Sequence, residues 1–351
     1  LNDESNDLTQ FKNQKKIRTI TLEEAYATPA FLEGPGKGLK VQAEVAKEHP
    51  QSAPAGFAHF VDQLIDIDEG RIKEMDQAGI DVQVLSLTSP GVEQLNESEA
   101  VDLANESNDY LAKAIKKYPK RFVGFATLPT PAPEKAADKL EHMVKKQGFR
   151  GAIINGHVRG RYLDDEFFWP ILERAEELNV PIYLHPTMPP EPVINASYTG
   201  NFDSVVSNRL ATAWGWHIET ATHILRIILS GAFDQYPNLQ FIIGHMGEGL
   251  PFMLPRANHT LTKEITKLER PVSDYLRENV YYTFSGWNYT PIFLNLFLEV
   301  GADRIMFSAD YPMKSMEWAS TFLDQLPVSK ADKEKIAHRN AERLLGIRYG
   351  P

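Results

Sequence analysis

Short apolar runs alternate along the chain with longer amphipathic stretches. Eight runs predict buried parallel strands, at Ile17–Leu22, Asp81–Leu87, Phe122–Leu128, Gly151–Asn155, Pro181–Leu184, Gln240–Ile243, Val280–Phe284 and Arg304–Ser308. Between them, apolar positions at helical spacing predict helices at Glu69–Ala78, Ser98–Tyr118, Glu134–Gln147, Phe167–Leu178, Glu219–Phe233, Tyr289–Val300 and Ser315–Leu326, with a last one from about Lys330 to Leu345. Eight strand–helix alternations favour a (β/α)8 TIM-type barrel over an open sheet. The rhythm breaks twice. Ala25–Asp68 and Pro186–His217 are long insertions after strands 1 and 5, in positions where barrel loops cover the mouth. Residues 1–16 lack apolar periodicity and read as a flexible N-terminal arm, leaving 17–351 as one barrel domain.

Composition narrows the function. The chain has 351 residues and a net charge of -10, so nucleic acid is not an expected partner. No apolar run reaches the ~20 residues of a membrane span. There is no cysteine, so any metal must sit on imidazoles and carboxylates. The expected compartment is the cytoplasm. The start at Leu1 leaves a processed secreted form as the alternative.

Barrel enzymes keep their chemistry where strands end. Strand 1 leads into Glu23-Glu24, strand 4 into Asn155-Gly156-His157, and strand 5 into His185-Pro186. Strand 6 leads into Gly244-His245-Met246-Gly247-Glu248, and strand 8 into Ser308-Ala309-Asp310-Tyr311-Pro312. A single histidine after a strand is most often structural, and Asp310 alone reads as a helix cap. Imidazoles and carboxylates gathered on one barrel face instead suit one divalent ion, Zn²⁺ or Mn²⁺. Softer candidates for the substrate pocket are Tyr26, Asn155, His157, His217, Arg256 and Trp287, with Phe31, Trp214 and Trp216 as further aromatics.

These motifs resemble the metal-dependent amidohydrolase superfamily, and within it the non-oxidative aromatic acid decarboxylases that act on dihydroxybenzoate (γ-resorcylate), salicylate and carboxyvanillate. The resemblance rests on Leu22-Glu23-Glu24-Ala25-Tyr26, Tyr183-Leu184-His185-Pro186, Gly244-His245-Met246-Gly247-Glu248-Gly249-Leu250-Pro251 and Phe307-Ser308-Ala309-Asp310-Tyr311-Pro312. It implies that Glu23, His185 and Asp310 hold the metal. It also implies that His245 serves as a further ligand or proton carrier, and that Glu248 orients it. Many members carry a ligating histidine two residues after the first glutamate, where this chain has Ala25.

The implied reaction loses CO₂ from an aromatic acid with a hydroxyl ortho to its carboxylate. Asp310 protonates the ring carbon, and His245 with Glu248 serves as relay. Hydrolysis of an ester, lactone or amide by metal hydroxide is the alternative, since it uses the same side chains. A barrel that only binds a ligand is a third reading. The expected partner is a small aromatic acid, and the expected assembly a homodimer or homotetramer.

Overall fold

A computed structural model gives the architecture and describes residues 17–49 and 57–347. The predicted arm at 1–16 lies outside them. Eight parallel strands follow one another around the sheet. They are β1 (Ile20–Tyr26), β2 (Val82–Leu87), β3 (Phe122–Gly124 and Ala126–Thr127), β4 (Ala152–Asn155), β5 (Ile182–His185), β6 (Phe241–Ile243), β7 (Val280–Thr283) and β8 (Ile305–Met306). Each pairs with the next in parallel register. β3 is interrupted at Phe125, whose amide still donates to the Leu85 carbonyl at 3.0 Å. A parallel bridge between Leu22 and Ser308 joins the last strand to the first. The Leu22 amide donates to the Phe307 carbonyl there, at 3.1 Å. The sheet thus closes as the (β/α)8 barrel that the alternation predicts.

Two apolar layers follow from this closure. Inside the barrel, Ile20, Leu22, Val82, Val84, Val123, Phe125, Ile153, Tyr183, Ile242, Tyr281 and Met306 form one cluster, with Leu345 and Ile347 plugging its lower end. The larger cluster fills the space between strands and outer helices. All six residues of β2 are buried, as a strand covered on both faces requires. Helix Glu97–Lys117 shows how local sequence fixes the outer ring. Asn96 and Glu99 form a reciprocal capping box at its start, and Lys116 and Lys117 complement the dipole at its end.

Three features differ from the pattern-based expectation. β1 does not stop at Leu22 but runs on to Tyr26 through a register shift between Thr21 and Glu24. The first insertion is largely helical, with Pro29–Glu33, Lys37–Glu48 and Phe60–Ile65. The second also folds: Ser204–Leu210 continues through a π-helical turn at Ala211–Gly215 into Trp216–Leu229. The helix expected to begin at Glu219 therefore begins much earlier. Both insertions expose apolar side chains such as Val41, Val45, Val205 and Val206, so their helices lack the buried stripe that marks a helical period. Among the described residues no helix is long and apolar enough to cross a membrane.

One buried histidine makes the fold sensitive to acid. Burial, then the nearby His157, push His223 down to about 3. Its Nε2 accepts from the Leu163 amide at 2.9 Å, which needs the neutral ring. The folded protein keeps His223 neutral while the unfolded chain protonates it below pH ~6.5. Its contribution is complete above that pH and is lost as pH falls toward 3, at up to about 1.4 kcal/mol per pH unit. Denaturation midpoints of His223→Asn measured from pH 7 to 4 should fall less steeply than those of the parent. Equal slopes would assign the acid sensitivity elsewhere.

Candidate active site

The site begins with the irregularity in β1. Leu22 points into the barrel, so strict alternation would turn Glu23 outward. The bulge, with Glu23 at φ 61°, turns it inward as well. Its carboxylate then meets side chains from β5 and β7. Tyr183 and Ser285 donate their hydroxyls to Glu23 Oε2, and Thr283 does so at 3.3 Å. Gly244 permits this crowding. A Cβ there would lie 2.5 Å from Ser285 Oγ and 2.6 Å from Glu23 Oε2. The other oxygen, Oε1, is buried and has no hydrogen-bond partner. His185 Nε2 lies 3.4 Å from it and His245 Nε2 3.9 Å.

Asp310 faces the same cavity as His185 and His245. Its backbone, at φ 63°, is pinned on both sides by Glu24, which accepts from the Ala309 amide at 2.9 Å and the Tyr311 amide at 3.3 Å. Strained non-glycine residues persist where the surroundings over-determine them. Glu23, His245, Met246, Glu248, Ser285 and Asp310 all have positive φ and all lie at this one place.

The electrostatics are those of a buried, mixed-charge cluster. Burial pushes the Glu23 carboxyl up to about 7, against the pull of His245. Burial, then the Glu23 charge, hold Asp310 well above the usual carboxylate range. His185 is pushed down to about 3 by burial and next by His245. For His245, burial works downward, but Glu248 and Glu23 overcome it and hold the ring up to about 10. For Glu248, burial works upward, and the imidazoles of His245 and His217 outweigh it, bringing the carboxyl to about 2.

Glu248 joins two imidazoles. It accepts from His245 Nδ1 at 2.8 Å and from His217 Nδ1 at 2.6 Å. The Trp287 ring closes this side, 4.9 Å from the His217 ring and 5.9 Å from that of His245. His217, His245 and Glu248 have ligand atoms within 4.8 Å of one another and so form one possible cation site. Both Glu248 oxygens are nevertheless occupied by imidazole donors, whereas Glu23 Oε1 is free. The bare oxygen is the better centre for a cation.

The structure thus brings together Glu23, His185, His245, Glu248, Asp310, His217 and Trp287. It places the other candidates elsewhere. Tyr26 is fully buried and donates to the Ser107 carbonyl, behind the barrel wall. The Asn155 backbone amide donates to Glu93, and its buried side chain does not line the cavity. His157 is tied to the Met188 carbonyl and the Gly160 amide, which makes it a loop anchor. Arg256 is exposed on helix Leu250–Thr260 and away from the cavity lining. Phe31 is core, and Trp214 is exposed. Sequence reading passed over Glu24 as a holder of the Asp310 loop. It also passed over the cavity walls from the insertions, including Val41, Val45, Val205 and Arg209. Their signal was an amphipathic spacing inside segments that otherwise read as loop. The whole cavity has a volume of about 620 Å³.

Fold and site together define a class: a closed α/β barrel with carboxylates and imidazoles converging at the C-terminal ends of its strands. The chain belongs to the amidohydrolase family, whose model matches residues 57–347. It is 38% identical over 326 residues to a gamma-resorcylate decarboxylase of Polaromonas sp. strain JS666, covering 88% of this chain and 98% of that protein. A gamma-resorcylate decarboxylase of Rhodococcus jostii strain RHA1 is 37% identical over 302 residues, covering 81% and 89%. Among solved structures, a dihydroxybenzoic acid decarboxylase of Polaromonas sp. JS666 with bound manganese and the inhibitor 2-nitroresorcinol superposes with a TM-score of 0.83. It is 36% identical, with 94% of this chain and 97% of that chain covered. A 5-carboxyvanillate decarboxylase of Novosphingobium aromaticivorans with bound manganese gives 0.84 at 33% identity and the same coverage.

The Glu23 cradle is testable without any assay of activity. Gly244→Ala should force Glu23 from its hydroxyl partners and cost about 1–3 kcal/mol, as overpacking does. A melting temperature lowered by several degrees is the expected result. An unchanged one would mean that the cradle yields freely.

Proposed function

We propose that this chain is a divalent-metal-dependent, non-oxidative decarboxylase of an ortho-hydroxylated aromatic carboxylic acid of the dihydroxybenzoate kind. One observation carries the reading. The Glu23 Oε1 atom is buried without a partner, and His185, His245 and Asp310 share the space it faces. An orphaned buried carboxylate oxygen among imidazoles fits a cation, and the donor set suits Mn²⁺ or Zn²⁺. In this reading Glu23, His185 and Asp310 hold the ion, with His245 beside it. The similarity to decarboxylases with bound manganese supports that assignment.

A cation held by Glu23, His185 and Asp310 would supply positive charge that favours the ionised form of a hydroxyl beside the carboxylate. Asp310 delivers a proton to the ring carbon that bears the carboxylate. The C–C bond to CO₂ then breaks, its electron pair returns to the ring, and aromaticity is restored. Negative charge around Asp310 favours its protonated form. His245, fixed by Glu248, hands on the replacement proton. Trp287 and Trp216 flank the histidines and exclude water from that side.

Two experiments test the chemistry. Purified protein should hold about one first-row divalent ion per chain, and chelation should abolish CO₂ release until Mn²⁺ is restored. Active protein without such an ion would reject the reading. In heavy water the product should carry deuterium at the carbon that lost CO₂. A hydrolase would instead leave solvent oxygen in its product and form no new C–H bond.

The relay separates by variant. His245→Asn should lose roughly 100-fold or more in kcat with little change in KM, and Glu248→Gln should lose less. Losses confined to KM would make both residues uniform binders.

We also infer a homodimer or homotetramer. Helices Leu250–Thr260 and Thr290–Val300 pack together, and Phe252, Met253 and Leu298 on them are exposed. Light scattering at working concentration should give a mass above that of one chain, and a monomer would overturn this.

A further inference from the structure

The cavity is larger than the reaction needs. A dihydroxybenzoate has about eleven non-hydrogen atoms. Even at the ~30 Å³ that a water takes in the liquid, these fill about 330 Å³. The cavity's volume is about 620 Å³. The surplus lies away from His185, His245 and Asp310, between two helices that the barrel itself does not supply. Helix Lys37–Glu48 contributes Leu39, Val41 and Val45 beside Gln42, and helix Ser204–Leu210 contributes Val205 beside Ser204, Asn208 and Arg209. Met313, just beyond Asp310, adds a further apolar wall.

Apolar side chains predominate on these walls although the walls are open to solvent. Val41 is 50% exposed, Val45 44% and Val205 66%. They stand on separate elements yet line one space, continuous with the cavity that reaches the histidines. A molecule bound at the inner end would meet these walls if it extended outward. Arg209, also in the lining, makes no ion pair among the described residues and sets a polar limit to the apolar tract.

We infer that the substrate ring carries a hydrocarbon substituent that runs outward between helices Lys37–Glu48 and Ser204–Leu210, so that the substrate class is alkylated hydroxybenzoates rather than the bare acid. This rests on the decarboxylase reading for the orientation of the ring. With carboxylate and ortho hydroxyl held at the inner end, the para position points toward the mouth. Burying a methylene stabilises by about 0.8 kcal/mol, close to a fourfold change in affinity. Walls that stay half open should give two- to fourfold.

The test uses the manganese-loaded protein and 2,6-dihydroxybenzoates with a 4-alkyl chain from methyl to hexyl, alongside the unsubstituted acid. Binding is followed by calorimetry and CO₂ release is followed separately. Affinity should rise roughly two- to fourfold per carbon over the first few carbons and then level off. In the double variant Val45→Asn/Val205→Asn the gain per carbon should shrink toward onefold. Affinity that is flat or falls from the methyl compound onward overturns the inference, whether or not the bare acid is turned over. Affinity that rises with chain length while no member releases CO₂ sustains the pocket assignment and rejects the decarboxylase reading.

Discussion

Everything at the mouth of this barrel depends on how one carboxylate is divided. Glu23 is 3% exposed, and a buried carboxylate is costly unless its oxygens are satisfied. Three hydroxyls, from Tyr183, Thr283 and Ser285, converge on Oε2 and leave Oε1 bare. The asymmetry gives the site its direction, since the free oxygen faces the imidazoles rather than the barrel floor. It also explains why the surroundings are strained. Glu23 must leave the pleat, Ser285 must reach back, and His245 must turn up beside them, each at positive φ. Strain of about 1–3 kcal/mol per residue persists only where neighbours fix the geometry. Here the barrel interior does so, because Tyr183 belongs to its packed cluster.

The next glutamate does a different job. Glu24 is fully buried and spends its oxygens on the amides of Ala309 and Tyr311, and on Gln83. Behind it, Arg71 donates to the carbonyls of Ala25, Gln63 and Asp66, and its guanidinium lies 4.6 Å from the centre of the Tyr311 ring. The first insertion, the end of β1 and the loop bearing Asp310 are thereby tied to one buried guanidinium and one buried carboxyl group. Two adjacent glutamates in sequence thus separate into one that faces the chemistry and one that holds the frame.

That separation also marks where sequence reading stops. The strands were legible because a parallel barrel needs uninterrupted apolar runs, and the histidines after β5 and β6 fall where such runs end. Glu23 was legible from its place after strand 1, but the bulge that aims it was not. Nothing in Leu22-Glu23-Glu24 announces that two successive residues point inward. The same alternation misled at Tyr26, Asn155 and His157. Position near a strand end does not settle which side of the sheet a residue takes: Tyr26 and His157 bond to backbone groups elsewhere, and the Asn155 side chain is buried outside the cavity lining. The insertions were misread because Val205, Val206 and Leu210 are exposed. Their helix gains little from core burial, and the apolar stripe that identifies a helix in sequence is the burial pattern itself.

The helix from Ser204 to Leu229 joins the cavity wall to the histidine cluster. Its first part carries Val205 and Asn208 on the cavity, and its second part begins with Trp216 and His217. Between them lies the π turn Ala211–Gly215. Such a turn adds one residue to a helical repeat, and each residue rotates the helix by about 100°. Without it, Trp216 and His217 would face a different direction from the one that suits the wall. With it, Trp216 reaches the Met188 sulfur at 3.0 Å and His217 reaches Glu248 at 2.6 Å, while the preceding turns still line the mouth. A ligand pressing on Val205 or Thr212 therefore bears on the same rigid rod that presents His217 to Glu248. The barrel sets the reacting atoms, and this one helix joins them to the shape of what enters.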